Sequence, residues 1–372
     1  MKSKKNVLFV SYSMWDGRWT EKLISQLCSK IDKNYNVFIL SLYDISPYQD
    51  YIGKYDFIHS WANFFLNSKI YRWFKIRKFC KQSHIDIVVG TSDEINIDIY
   101  LSTIFLRIKK IWWVHSNPEL HLKSIFKKIV IKNIYPYFDR IVCVSKGIEY
   151  SLHEDFWIRN TKVILNYLDM TVEKNIIEKS NQWEVEISLG KKWSPTILTI
   201  SRLDMRKWLL KSIEAFSVYN KKYPTSKYII LWEWPDREQL EKYIKSQGLD
   251  TSVFLLGHKN NIYSYMIYAD IFLLTSYSEA FWLVLLEAGV TKTPIISSDT
   301  NFWPREILTN IWYETKLNYP FIWGSGILIC SPGREDFVKN FIEALELENK
   351  PTFMWIDKFD INRAVNQWEE VL

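Results

Sequence analysis

Glycine is scarce in this chain. Only 11 of its 372 residues are glycine, where average usage of about 7% would give roughly 26. Glycine stands wherever backbone takes positive φ or must approach a ligand closely, so the shortage raises the question of what occupies those places. No G-x-G-x-x-G run follows a strand-like segment, which removes the dinucleotide fingerprint. The four cysteines, Cys28, Cys80, Cys143 and Cys330, are scattered without C-x-x-C or Cys/His spacing. They read as small buried residues of a reduced cytosol, and no metal site is indicated. No segment offers the ~18 uninterrupted apolar residues of a membrane span. Met1-Lys-Ser-Lys-Lys-Asn6 runs directly into an apolar strand, so no signal peptide is expected and a cytoplasmic location follows.

What is present fits two domains. A chain of 372 residues, 48% hydrophobic, is too long for one ordinary core. The net charge is +6 and unevenly placed: residues 107–140 hold eight Lys or Arg against two acids, an excess equal to that of the whole chain. Within Arg107–Arg140, the stretch from Leu122 to Tyr135 pairs apolar with basic positions. It fits an ordinary core helix with a solvated basic face, an anionic membrane surface or nucleic acid.

Short apolar runs alternate with helical stretches along the chain. Asn6–Tyr12, Val37–Leu42, Ile85–Gly90, Ile111–His115, Asp139–Lys146 and Lys162–Asn166 read as strands, and Ile70–Gln82 as one intervening helix. After a charged, aperiodic stretch the alternation resumes with strands at Pro195–Ser201, Tyr228–Leu231, Val253–Leu256 and Asp270–Thr275. The chain closes with helical patterns over Arg334–Glu348 and Asp357–Leu372. This is an α/β pattern of two Rossmann-like parallel-sheet domains, with ligands expected at the carboxyl ends of the strands. The expected division is residues 1–168, a linker over 169–194, a second domain over 195–355, and a final helix over 356–372 crossing back to the first domain.

The stretch Ser276-Tyr-Ser-Glu-Ala-Phe-Trp-Leu-Val-Leu-Leu-Glu-Ala288 organises the second domain. It joins the strand Asp270–Thr275 to an apolar helix over Phe281–Val290 whose single carboxylate is Glu287. A strand, a polar loop and a helix N-terminus make a site for anions and hydroxyls, because unpaired backbone N–H groups point outward there. A charge in so apolar a helix needs a partner or a ligand.

Glu279 and Glu287, eight positions apart and with Ala-Phe after the first and Ala after the second, resemble the signature of family 4 retaining glycosyltransferases. Pro294–Asp299 and Trp303-Pro-Arg-Glu-Ile307 resemble that family's next strand and turn, and Thr199–Leu209 its Arg-Leu-x-x-x-Lys-Gly segment. The resemblance covers nearly the whole chain and implies the GT-B architecture, two such domains facing across a cleft. It also implies sugar transfer from a nucleotide-diphosphate donor, with UDP-sugars the commoner donors, to a saccharide or lipid-linked acceptor in surface glycan synthesis. No metal and no cofactor is implied. Arg202 and Lys207 would face the departing diphosphate, and Glu279 with the N–H groups at Phe281, Trp282 and Leu283 would hold sugar and diphosphate. Glu287 would accept from the ribose hydroxyls, Gly257 and His258 would lie near the base, and Asp16 and Gly17 would line the acceptor side. His115 ends its strand where the family places a histidine, and would position the reacting sugar. Because the family works on lipid-linked acceptors, Arg107–Arg140 gains a peripheral membrane role on the inner face; nucleic acid is not expected. A sugar-nucleotide epimerase of the same architecture is the enzyme alternative, and its additional acid/base set is not evident.

One departure is consistent. Trp208, Trp232, Trp234, Trp282 and Trp303 stand where the family pattern has glycine, and so do Trp15 and Trp19. The chain has 18 Trp beside its 11 Gly, together 29, near the usual glycine content alone. An indole cannot serve where backbone approaches phosphate or takes positive φ. Many of these Trp are therefore expected to come from UGA codons read as Trp in a gene whose own host reads them as glycine. If all are genuine, the chain is a catalytically impaired sugar-nucleotide-binding relic.

Overall fold

Strands covered by helices on both faces must be apolar along their length, and central strands of this protein such as Val7–Val10 and Ile271–Leu274 are. The computed structural model describes residues 4–11, 19–41, 69–115, 129, 132–180, 185–186, 195–201, 208–231, 237–275, 283–300, 303–311 and 314–372. The chain divides into two units, residues 1–169 with 359–372, and residues 170–358.

The first unit is built on β1 (Asn6–Ser11), β2 (Asn36–Ser41), β3 (Ile87–Gly90), β4 (Lys109–Val114), β5 (Arg140–Cys143) and β6 (Thr161–Val163). They form one parallel sheet in the order β2-β1-β3-β4-β5-β6. The chain steps outward from β1 to β2 and returns on the other side at β3, so the order reverses between β1 and β3. Helices α1 (Trp19–Ile31), α2 (Lys69–Gln82), α3 (Asp93–Thr103) and α4 (Lys146–Phe156) connect the strands. Asp93 and Glu94 lie in the first turn of α3, where carboxylates suit the helix dipole. Ser145 caps α4 by accepting from the Ile148 N–H at 3.0 Å, the usual device for an orphan donor.

The chain's end belongs to this unit as α12 (Ile361–Glu369), capped by Asp360, which accepts from the Asn362 N–H at 2.8 Å. It packs on α1. Leu168 is stitched to it on both sides: its N–H donates to Phe359 O at 2.9 Å and its carbonyl accepts from Ile361 at 3.0 Å. Trp368 of α12 is fully buried beside Phe9 and Trp113.

The second unit carries a seven-stranded sheet in the order β12-β13-β11-β10-β7-β8-β9. Its strands are β7 (Thr196–Ile200), β8 (Lys227–Leu231), β9 (Val253–Gly257), β10 (Ile271–Leu274), β11 (Ile295–Ser298), β12 (Phe321–Trp323) and β13 (Gly326–Ile329). All pairings are parallel except β12 with β13. Here the order reverses between β7 and β10. The connecting helices are α6 (Leu209–Lys222), α7 (Arg237–Ser246), α8 (Ile262–Tyr268), α9 (Leu283–Val290) and α10 (Trp303–Leu308), with α11 (Phe337–Glu346) after the β12–β13 hairpin.

The expected linker over 169–194 is corrected in its first part, which is helix α5 (Met170–Lys179) packed on α8 and α9. Past its first residue, the only buried side chain of this helix is an acid, Glu173, so it shows no apolar stripe. Tyr263 of α8 donates a hydrogen bond to Glu173, which gives one oxygen of the buried carboxylate the partner that burial calls for.

Candidate functional site

In open α/β sheets ligands bind beyond the carboxyl ends of the strands, where strand order reverses. In the second unit that place lies between β7 and β10, which pair directly through Ile271↔Ile197 and Phe272↔Leu198. Their last described residues, Ser201 and Thr275, are both buried. In sequence, α6 follows β7 and α9 follows β10. Neither helix carries an acid in its first turn, and α6 has no side-chain cap. Two helix N-termini therefore follow two neighbouring strands, with first-turn N–H groups and partial positive charge not offset by carboxylates of their own. That arrangement favours an anion with several oxygens, such as a diphosphate.

Glu287 lies in the second turn of α9 and is 1% exposed, among buried Leu283, Val284, Leu285, Leu286 and Ala288. A carboxylate so placed is costly unless it is hydrogen-bonded. The helix is held close to its surroundings: a Cβ on Gly289 would fall 2.8 Å from Phe353 Cγ. The Leu283 side chain is core, so only its backbone N–H is available to a ligand. At the far end of the sheet, β9 ends on Gly257 with φ +71°, and the exposed His258 follows. Arg202, Lys207, Glu279, Phe281 and Trp282 lie outside the described residues, as do Asp16 and Gly17.

The turn after β11 is fixed by charge. Arg305 is buried; its Nε reaches both Asp299 oxygens at 3.1 Å and its Nη1 donates to Thr315 O at 2.6 Å. Tyr319 also donates to Asp299. Burial, with the Asp299 carboxylate beside it, pushes the Tyr319 phenol well up. The Arg of the Trp-Pro-Arg-Glu-Ile segment thus holds the turn together. Sequence reading left this residue without a role, and Asp299 six positions earlier was the signal that could have supplied it.

In the first unit the reversal lies between β1 and β3. Thr91, just past β3, donates to Val10 O at 3.2 Å. Gly90 admits no side chain, since a Cβ would lie 2.0 Å from Asn96 Oδ1 and 2.6 Å from Ile99 Cδ1. One strand further along, His115 follows the last residue of β4. The residue as a whole is half-buried, and its Nε2 is buried with no hydrogen-bond partner among the described residues. The ring lies 4.5 Å from that of Trp113. Burial pushes the imidazole down to about 3, so it is neutral near pH 7. Of Arg107–Arg140, the described part comprises residues 107–115, Ile129 and residues 132–140, the last with the 3-10 turn Tyr135–Tyr137; most of the apolar-basic stretch lies outside it.

A family model described as glycosyl transferases group 1 matches residues 181–354. An uncharacterized glycosyltransferase of Methanocaldococcus jannaschii is 29% identical over 281 residues, covering 71% of this chain and 68% of that one. The protein is a glycosyltransferase of the GT-B fold. A second relative, 30% identical over 189 residues, covers 50% of this chain and 48% of its own. It is the Campylobacter jejuni N-acetylgalactosamine-N,N'-diacetylbacillosaminyl-diphospho-undecaprenol 4-alpha-N-acetylgalactosaminyltransferase. The solved structure of HepE from Anabaena, in complex with UDP, superposes at a TM-score of 0.72 over 99% of both chains. At 14% identity that likeness concerns the fold alone. Acid-free helix N-termini at the strand reversal, with a buried carboxylate one turn behind, make a site suited to an anion.

Of the Trp residues at expected glycine sites, Trp19 and Trp303 open helices α1 and α10, and Trp208 has left-handed backbone, with φ +52°. The same holds for Trp157, at φ +61°.

Proposed function

We propose that this glycosyltransferase moves a sugar from a UDP-linked donor to a saccharide or lipid-linked acceptor, retaining the anomeric configuration and using no metal or cofactor. The observation that carries this reading is the pair of helix N-termini, α6 and α9, following adjacent strands with no first-turn acid. The bond from the anomeric carbon to the diphosphate oxygen breaks, and the diphosphate leaves with the electron pair. A new bond forms from the acceptor oxygen to the same carbon, and the acceptor proton passes to the leaving diphosphate. Fixed cations and N–H donors are worth most where that charge develops. Arg202 and Lys207, between β7 and α6 in the sequence, supply the cations, and Glu279 holds the donor sugar. Glu287 accepts from the ribose hydroxyls, and neutral His115 positions the reacting sugar. Gly257 and His258 lie toward the base, and Asp16 and Gly17 toward the acceptor.

The undecaprenol-linked substrate in the name of the Campylobacter relative supports a lipid-linked acceptor, and the UDP bound to HepE supports the nucleotide. The setting that follows is surface glycan assembly by a cytoplasmic enzyme working at the inner membrane face, with Arg107–Arg140 contributing basic contacts. A donor screen reading release of nucleotide diphosphate, with glycine at positions 208 and 282, tests the proposal. Release with UDP-sugars and dependence on acceptor are expected; binding without turnover would favour the relic.

A further inference from the structure

The first unit carries an apolar and basic face that is exposed among the described residues. Along α2, Ile70, Phe74, Lys78 and Lys81 recur at helical spacing and all are exposed, Ile70 at 58% and Phe74 at 68%. Residues 69–82 contain six Lys or Arg and no acid. Arg77, on the same stripe, donates through Nη1 to Ser102 O at 3.0 Å and Ile104 O at 2.9 Å. The turn after α3 is therefore bound to this face, and with it Phe105, 93% exposed and in left-handed backbone at φ +65°. A phenylalanine there is doubly unfavourable, since left-handed backbone strains a bulky residue and its ring stands in water. The nearby carboxylate of Asp98 is already paired with Arg72 at 3.0 Å.

We propose that this face docks on an anionic lipid surface, with Phe74 and Phe105 entering the interface and Lys78 and Lys81 meeting the headgroups. Exposed aromatics flanked by lysines, on a helix that carries no acid of its own, suit a negatively charged bilayer. An acidic protein surface would reward the charges but not two separate projecting rings. The inference deepens the lipid-linked reading by naming a surface, and its test does not depend on turnover.

Full-length protein is sedimented with vesicles of equal phosphatidylglycerol and phosphatidylcholine, and with phosphatidylcholine alone. Binding to the first, weakening as salt rises past physiological strength, is expected. Phe74→Ser with Phe105→Ser, and separately Lys78→Glu with Lys81→Glu, should each lower partitioning roughly tenfold or more. Unchanged far-UV circular dichroism would show that both double variants fold. Equal binding to both vesicle types, no binding to either, or folded variants that bind as the parent does would overturn the proposal. Donor turnover on a short soluble acceptor fails only if the transferase reading fails, so the two are separable.

A second observation stands independently. Trp157 terminates α4 in left-handed backbone, its N–H donating to Leu152 O, with its indole 75% exposed. That helix-ending position is where glycine is favoured, because no Cβ is strained there. Trp208 begins α6 in the same conformation. By contrast Trp112, Trp113 and Trp368 are fully buried, Trp112 stacked 3.5 Å from Tyr135. We infer that positions 157 and 208 are glycine in the protein as its own cell makes it, while the three buried tryptophans are genuine. Trp157→Gly should raise the thermal midpoint, since it relieves strain and removes little packing, whereas Trp368→Gly should lower it. The coding sequence should show UGA at 157 and 208 and UGG at 112, 113 and 368. UGG at 157 and 208, or a Trp157→Gly protein less stable than the parent, would overturn the inference.

Discussion

Trp113 meets Trp368 edge to face, ring centroids 4.8 Å apart and planes at 70°. The contact joins helix α12 to β4, the strand that His115 follows. Aromatic pairs of this geometry add to the burial of two large rings. Trp368→Ala should destabilise the protein by about 3–5 kcal/mol, read from the urea midpoint, with Trp368→Phe costing less. Since Trp113 stands two residues before His115, Trp368→Phe should also lower turnover more than it changes the donor KM.

His115 gives a pH signature. Its folded value lies near 3, against about 6.5 unfolded, so below pH 6.5 the unfolded chain takes up a proton that the folded one refuses. Stability contributed by the neutral ring is complete above pH 6.5 and falls as pH drops toward 3. His115→Asn should flatten the fall in unfolding free energy between pH 6.5 and pH 4.5. An unaltered slope would place the ring in contact with solvent.

Arg305 and Asp299 form a buried pair, and breaking one side strands the other. Arg305→Met should cost about 3–5 kcal/mol in unfolding free energy. Replacing both with apolar residues should cost less than the single change, which a double-mutant cycle would show.

The two kinds of donor-site residue should fail differently. If Lys207 faces the leaving diphosphate as proposed, Lys207→Ala should lower turnover by roughly two to three orders of magnitude. If Glu287 accepts from the ribose in ground and transition states alike, as proposed, Glu287→Ala should raise the donor KM roughly ten- to hundredfold. Steady-state kinetics on the glycine-restored enzyme separates the two.

Strands buried on both faces were legible because an uninterrupted apolar run such as Val7–Val10 admits few other readings. Helix α9 and its lone Glu287 were legible for the same reason, a charge standing out against Leu and Val. Helix α5 was not, because its inward residue is Glu173 and its partner, Tyr263, is 90 positions away. The β12–β13 hairpin also went unread, although Gly324-Ser325 between Trp323 and Gly326 is a two-residue turn signal. Arg305 looked like part of a motif, and its role depends on Asp299 and Tyr319, which only the folded chain brings together.

The most direct measurement is on the glycine-restored enzyme with a UDP-sugar of known anomeric configuration and a lipid-linked acceptor. Released UDP and the anomeric configuration of the product, by NMR, are read together. Acceptor-dependent UDP release with the donor's configuration preserved is the predicted result. Release with inverted configuration, or binding of the donor without release in the presence of every acceptor, would contradict it.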